Sequence, residues 1–346
     1  MMKIIPAKSE RATQAYQLVV HLQSRFVDRL TQISTQFGES KEFEAVEWLR
    51  DNGQHGGGMR KVATDNTIFN RGSVNVSQVQ YDDDPSKRLA SASAISTIIH
   101  PVNPLAPSVH IHISWTELKD GHGYWRVMAD LNPSIPNETD KQQFADLLKQ
   151  AAPEQYAEAE AQGDKYFYIP ALERHRGITH FYLENYSTGN FENDLALART
   201  VGEAAIDGYC DILENALNTR QDAVNADYAR QKAYHTLYFF QVLTLDRGTT
   251  SGLLVHNQND VGILGSLPSH VQRPLLTSWI DRLQAPQEKL LQALIDCLPN
   301  EDSCAVEDET KIALCNAIRQ HYQQHPDAIN MQASGNTVPT TVSNHK

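Results

Sequence analysis

Between positions 9 and 37 the apolar residues Tyr16, Val19, Val20, Phe26, Val27, Leu30, Ile33 and Phe37 recur at three- and four-residue steps, and Gly38 follows them. This spacing predicts an amphipathic helix with one buried face, stopped at the glycine. After Gln54-His55-Gly56-Gly57-Gly58 the period shortens to two, in runs over 60–63, 68–69 and 74–79. Arg71-Gly72 separates two of these runs, and Asp82-Asp83-Asp84-Pro85 breaks the last. Three longer runs, 94–100, 108–118 and 123–131, are joined by Pro101-Val102-Asn103-Pro104 with Pro107 and by Lys119-Asp120-Gly121-His122. Links this short favour antiparallel neighbours over crossovers. Further on, the pattern predicts a helix over 140–152, strands over 165–169 and 177–186, and helices over 191–217 and 222–234. The apolar run 237–245 is expected as a strand, turning at Asp246-Arg247-Gly248-Thr249 into a hairpin through 252–255. Helical patterns follow at 275–298 and 311–321. The expected organisation is one α+β domain over 1–298 around a mainly antiparallel sheet, a helical extension over 299–325, and a disordered tail over 326–346.

Composition narrows the functional classes. With 30 Lys plus Arg against 42 Asp plus Glu, the net charge of −12 gives no footprint for nonspecific nucleic acid or an anionic membrane. No run approaches the roughly 18 apolar residues of a membrane span, and positions 1–10 lack the apolar core of a signal peptide, so a cytoplasmic chain is expected. Cys210, Cys297, Cys304 and Cys315 form no C-x-x-C pair and match no zinc-site spacing, which predicts reduced thiols. Gly56-Gly57-Gly58 lacks the Lys-Ser/Thr of a phosphate-binding loop.

The chemistry concentrates on two adjacent runs. In 109–115, Val109, Ile111, Ile113 and Trp115 share one face while His110, His112 and Ser114 share the other. In the next run Tyr124, Arg126, Met128 and Asp130 share a face opposite Trp125, Val127, Ala129 and Leu131. Paired strands would bring two histidines, an arginine and a carboxylate onto one floor. That floor could be a solvated sheet face, a metal site built on His-x-His, or an acid/base site with a histidine titrating beside Asp130. Asp246-Arg247 reads as a structural turn pair or a substrate clamp, and Glu173-Arg174-His175-Arg176-Gly177 as a charged loop or an anion site.

An ordered set of seven motifs resembles the oxygen-dependent coproporphyrinogen III oxidase family. Gly56-Gly57-Gly58 with Phe69, Gly72, Val74-Asn75 and Ser77 resembles its G-G-G…V-F-E-K-x-G-V-N-x-S segment, and His100-Pro101-Val102-Asn103-Pro104 its H-P-x-N-P. Pro107 to His110 resembles P-T-x-H, Asp130-Leu131-Asn132-Pro133 resembles D-L-T-P, and Arg176-Gly177-Ile178 the start of R-G-I-G-G. Asp246-Arg247-Gly248-Thr249 matches D-R-G-T, and Ile263 to Pro268 resembles I-L-M-S-L-P. The resemblance implies a large antiparallel sheet flanked by helices on both sides, a homodimer, a tetrapyrrole substrate, O2 as co-substrate and no organic cofactor or metal. It implies oxidative decarboxylation of two propionates to vinyl groups. By motif, His110 is the acid/base residue and Asp130 the carboxylate facing the pyrrole N–H groups. Ser96, His112, Ser114, Arg126, Arg176, Asp246 and Arg247 are the candidate substrate contacts. On that assignment Asp130→Asn would abolish turnover and leave the fold intact.

The chain also departs from the family. Where the family has H-x-N-x-R, it carries His110-Ile111-His112-Ile113-Ser114, and the family's G-R-Y-V-E-F-N is Thr236-Leu237-Tyr238-Phe239-Phe240-Gln241-Val242. Two family histidines correspond to Gln143 and Ala171, which argues against a metal at His100 and His110. Arg126 could restore a lost charge from the neighbouring strand, while Leu237, Phe239 and Phe240 could make the cavity more apolar. A catalytically altered relative that binds a tetrapyrrole, and a metal enzyme using His110, His112 and His180, are the rival readings. The run 237–245 with its hairpin is the expected dimer interface.

Overall fold

The chain folds, in a computed structural model that describes residues 4–345, around one antiparallel sheet. Helix α1 (Glu10–Phe37) starts where Ser9 accepts a hydrogen bond from the Ala12 N–H, and ends at Gly38 as the apolar period predicts. Strands β1 (Glu44–Leu49), β2 (Gly56–Val62), β3 (Phe69–Gln80), β4 (Leu89–Pro101), β5 (Ser108–Leu118) and β6 (Gly123–Asn132) follow as hairpin neighbours. Arg71-Gly72 lies inside β3, at an irregularity in the pairing with β4, so the two short runs are one strand. The glycine triplet begins β2; a Cβ on Gly58 would meet the Val76 carbonyl at 2.3 Å, so these glycines admit close strand packing.

Helices α2 (Glu138–Ala151) and α3 (Tyr156–Phe167) precede a two-residue ribbon, β7 (Tyr168–Ile169) with β8 (Arg174–His175). The expected strand over 165–169 is therefore mostly the end of α3. Strand β9 (Thr179–Tyr186) completes a seven-stranded sheet in the order β1-β2-β3-β4-β5-β6-β9. Helix α4 (Phe191–Thr219) returns across the sheet to pack with α1 and α2. Val74, Val76, Ile95, Val109, Ile111, Ile113, Trp115, Trp125, Val127 and Leu131 meet these three helices in the main core.

The opposite face corrects the strand expected over 237–245. Those residues lie in α5 (Asn225–Thr244) and its C-cap Leu245, and the hairpin is α6 (Arg247–Val255), capped by the Asp246 carboxylate on the Thr249 N–H. Every residue from Tyr234 to Thr244 is buried, so the helix carries no polar stripe there and its apolar run has no visible period. Leu237, Phe239, Phe240 and Leu243 pack into a second core, which excludes this run as a free dimer interface. The predicted helix over 275–298 divides into α8 (Arg273–Thr277) and α9 (Gln287–Asp296), after the short α7 (Asp260–Ile263) and β10 (His270–Gln272). Strand β11 (Ser303–Ala305) pairs with β10, and α10 (Asp308–Gln324) joins the second core through Leu314, Cys315 and Ile318. The segment after Pro326, expected to be disordered, runs back over the sheet and ends in α11 (Thr341–Asn344), with Gln332 and Asn344 buried.

Candidate active site

Alternation along β3, β4 and β5 turns one set of side chains into the main core and the other onto a cavity beneath α5 and α6. The register places the second set in rows across the sheet. One row reads Ser73, Ile98, His110, Asp130, His180; the next reads Arg60, Asn75, Ser96, His112, Met128, Tyr182; a third contains Ser77, Ala94, Ser114 and Arg126. The cavity, about 250 Å³, is lined by Asn75, Ser96, His110, His112, Ser114, Arg126 and Met128 from the sheet, and by Tyr166, Tyr182, Tyr238, Asp246 and Thr249 from the surrounding elements. The sequence-predicted residues Ser96, His110, His112, Ser114, Arg126 and Asp246 therefore share one cavity. Tyr238 and Val242 are the α5 residues on its wall, so the apolar lining anticipated from Leu237, Phe239 and Phe240 does not form.

Asp130, Arg176, Arg247 and His180 lie outside the cavity wall. Asp130 and Arg176 are wholly buried and ion-paired, with Arg176 Nη2 2.9 Å from Asp130 Oδ2. The guanidinium also lies over the rings of Phe167 and Tyr238, at 4.5 and 5.0 Å. Burial would raise the Asp130 carboxyl, but Arg176 and then His110 outweigh it and hold the group below the usual carboxylate range. Its Oδ1 accepts no hydrogen bond and lies 3.3 Å from His110 Nδ1. Asp130 thus backs the histidine. Arg247 donates to the Ile329 carbonyl at 2.9 Å and so holds α6 to the chain beyond α10. His180 uses both ring nitrogens, one with Asp164 Oδ1 and one with the Arg176 carbonyl, each at 2.8 Å.

Among the described residues, His110 is the cavity histidine with both a hydrogen-bond donor and a carboxylate acceptor behind it. Its Nδ1 faces Asp130 Oδ1 and also Arg176 Nη2, each at 3.3 Å, so a protonated Nδ1 meets the carboxylate and an unprotonated one meets the guanidinium. Either tautomer leaves Nε2 for a ligand. His112 differs: burial, then Arg126 and His110, push its imidazole well below the ordinary histidine range, and its Nε2 lies 3.1 Å from Ser114 Oγ.

Arg126 sits directly across the strand pair from Ser114, where the charge missing from β5 would be replaced. Its Nε donates to Glu184 Oε2 at 2.5 Å, a carboxylate that also accepts from the Tyr182 hydroxyl. Burial lowers the tendency of Arg126 to hold its proton, but Glu184 more than reverses this and the group stays charged. Tyr166 completes the network by donating to Asp246 Oδ2 at 3.0 Å. Glu184, Tyr182, Tyr166 and Asn75 were missed as site residues. Only the Asn75 motif and the two-residue period of β9 could have marked them.

A ligand carboxylate on Arg126 makes a charge-assisted contact worth roughly 1.5–3 kcal/mol. Arg126→Met is accordingly expected to raise KM by about 10- to 100-fold with little change in kcat. The substitution is best made with Glu184→Gln, so that no unpaired carboxylate is left buried. An unchanged KM in the folded double variant would remove Arg126 from the binding surface.

Comparison with known proteins bears on the family. The coproporphyrinogen III oxidase family profile matches residues 14–296. The oxygen-dependent coproporphyrinogen-III oxidase of Rickettsia akari (strain Hartford) is 28% identical over 245 residues, covering 67% of this chain and 85% of that protein. The mitochondrial oxygen-dependent coproporphyrinogen-III oxidase of Rattus norvegicus is 27% identical over 282 residues, covering 73% of this chain and 60% of the rat protein's length. Seven dispersed motifs, the predicted sheet and a match over most of the chain converge: this protein belongs to the coproporphyrinogen III oxidase family.

Proposed function

We propose that this chain is an oxygen-dependent coproporphyrinogen III oxidase of haem biosynthesis, converting two propionates to vinyl groups with O2 as acceptor and without an organic cofactor or metal. Each turn breaks one C–COO bond and one C–H bond. Carbon dioxide leaves, and the two electrons and one proton released per propionate carboxylate, with a second proton taken from solvent, reduce O2 to hydrogen peroxide. The observation that carries the reading is His110, open to the cavity and backed by the buried Asp130–Arg176 pair, within a chain matched by the family over residues 14–296. That arrangement can take or return a proton at the substrate while the buried carboxylate offsets charge developing on the ring. The exposed part of Arg126 supplies a cation for a carboxylate, in place of the arginine absent at Ser114.

The reading extends to a cytoplasmic homodimer, for which light scattering should give twice the chain mass. Among the described residues no helix is long and apolar enough to cross a membrane.

The test is aerobic incubation with coproporphyrinogen III, followed by mass spectrometry. Loss of two carboxyl groups, with hydrogen peroxide formed in equal amount to the carbon dioxide, is the expected result. Tetrapyrrole binding without product would instead identify a catalytically altered relative.

A further inference from the structure

The last residues of the chain lie beyond the family match, which stops at residue 296, yet Thr341 and His345 form part of the cavity wall. The path to them has two unequal halves. At its base the chain is fixed: the Ala333 N–H donates to the Leu245 carbonyl at 2.9 Å, and Gln332 Nε2 to the Thr244 carbonyl at 3.2 Å. Residues 334–339 make no hydrogen bond among the described residues; Gly335 is still buried against Gln162 and Tyr182, and beyond it Val338 is exposed. The end is then held by a few contacts to the rim. Asn344 Nδ2 donates to the Tyr124 hydroxyl at 3.0 Å, Lys87 Nζ donates to the His345 carbonyl at 3.0 Å, and the His345 ring packs edge-on against Tyr81 and His256. A fixed base, an unbonded span and a lightly held tip are the parts of a hinged strap.

The cavity of about 250 Å³, narrowed at one side by Thr341 and His345, falls below the roughly 300–1,000 Å³ of pockets that enclose a drug-sized ligand, and a tetrapyrrole is larger than such a ligand. Something on the wall must move for it to enter. The sheet strands are paired along their lengths, α5 is buried in the second core, and α6 and α7 are tied down by Arg319 of α10, which donates to the Leu253 and His256 carbonyls and to the Asp260 carboxylate; of these wall elements the strap has the fewest bonds.

We propose that residues 336–345 form a displaceable strap that narrows the substrate cavity at His345 and must lift before a tetrapyrrole can bind. The substrate class rests on the function proposed above; the closure rests on the geometry alone. With the strap lifted, Lys87 loses its partner and becomes free to meet a substrate carboxylate at the rim. Because binding requires the open form, apparent affinity is reduced by the fraction of molecules that are closed.

The test compares the full chain with a chain ending at Val338 and with His345→Ala, all first checked for a native circular dichroism spectrum. Two readouts are taken: the rate at which diethylpyrocarbonate modifies His256, and the Kd and association rate of coproporphyrin III, the stable oxidised form of the proposed substrate. The expected result is at least tenfold faster modification of His256 in the shortened chain, with roughly tenfold tighter and faster porphyrin binding, and His345→Ala between the two. Equal modification rates would show that the strap does not cover the cavity and would overturn the proposal. Faster modification with weaker binding would make the strap a fixed wall of the site, which also overturns it. Faster modification with no porphyrin bound by any chain would support the closure and reject the tetrapyrrole reading instead.

Discussion

Replacing His110 with alanine should lower kcat by about 10²- to 10⁴-fold, the contribution of a positioned acid/base group, while leaving KM within a few-fold of its original value. The side chain stands on the cavity face and is partly exposed, so its removal opens space already continuous with the cavity and breaks no core packing. Stability should fall by less than about 2 kcal/mol, since Arg176 keeps its bond to Asp130 Oδ2. His112→Ala provides the contrast. That histidine shares the strand face with His110, but it is held neutral beside Arg126 and has no carboxylate behind it. Its loss is expected to act mainly on KM. Steady-state kinetics of both variants checks the assignment, because the loss should fall on kcat for His110→Ala and on KM for His112→Ala. A His110→Ala enzyme working within tenfold of the unaltered chain would rule out the role given to this residue.

The two histidines illustrate how far the site could be read from sequence. A two-residue period sends alternate side chains to opposite faces, so His110, His112 and Ser114 had to share a face, and the short 119–122 link required β6 to pair beside them. That pattern puts the four residues on one face of the strand pair; the register, His110 opposite Asp130 and Ser114 opposite Arg126, comes from the structure. Depth was not legible. Nothing in Asp130-Leu131-Asn132 distinguishes a carboxylate on a cavity wall from one sealed beneath a histidine; that depends on Arg176, which arrives from a loop 46 positions away. The run from Leu237 to Leu245 failed for a different reason. A helix buried on every side loses its polar stripe, and β-branched and aromatic residues then give it the look of a buried strand. Glu184 and Tyr182 were hidden because β9 reads as an ordinary apolar strand, and their importance comes from Arg126 on the neighbouring β6. The chain after Pro326 has no apolar period because its contacts are single side chains and backbone groups latched onto a surface made by other elements.

Asp130→Asn is expected to destabilise the fold by about 3–5 kcal/mol at pH 7, in addition to abolishing turnover. The family resemblance alone implies a silent structural effect, and the burial of Arg176 reverses that expectation. Asparagine keeps the size of the side chain but leaves a guanidinium with no exposure and no counter-charge, whose Nε and Nη1 already lack partners. Two comparisons separate this electrostatic cost from a general loss of packing. Pairing Asp130→Asn with Arg176→Met removes both charges, and the double variant should recover a large part of the lost stability, giving a coupling of a few kcal/mol in a double-mutant cycle. The second comparison is pH. The Asp130 carboxyl is held below its value in the unfolded chain, near 3.9, so its stabilising effect is complete above that value and is lost as pH falls through the folded-state value. The gap between wild type and Asp130→Asn should therefore be widest near neutrality and should narrow below about pH 4. Urea unfolding at several pH values measures it. A variant as stable as wild type at pH 7, or a gap that does not close in acid, would mean that the Asp130–Arg176 pair is not what holds this part of the site together.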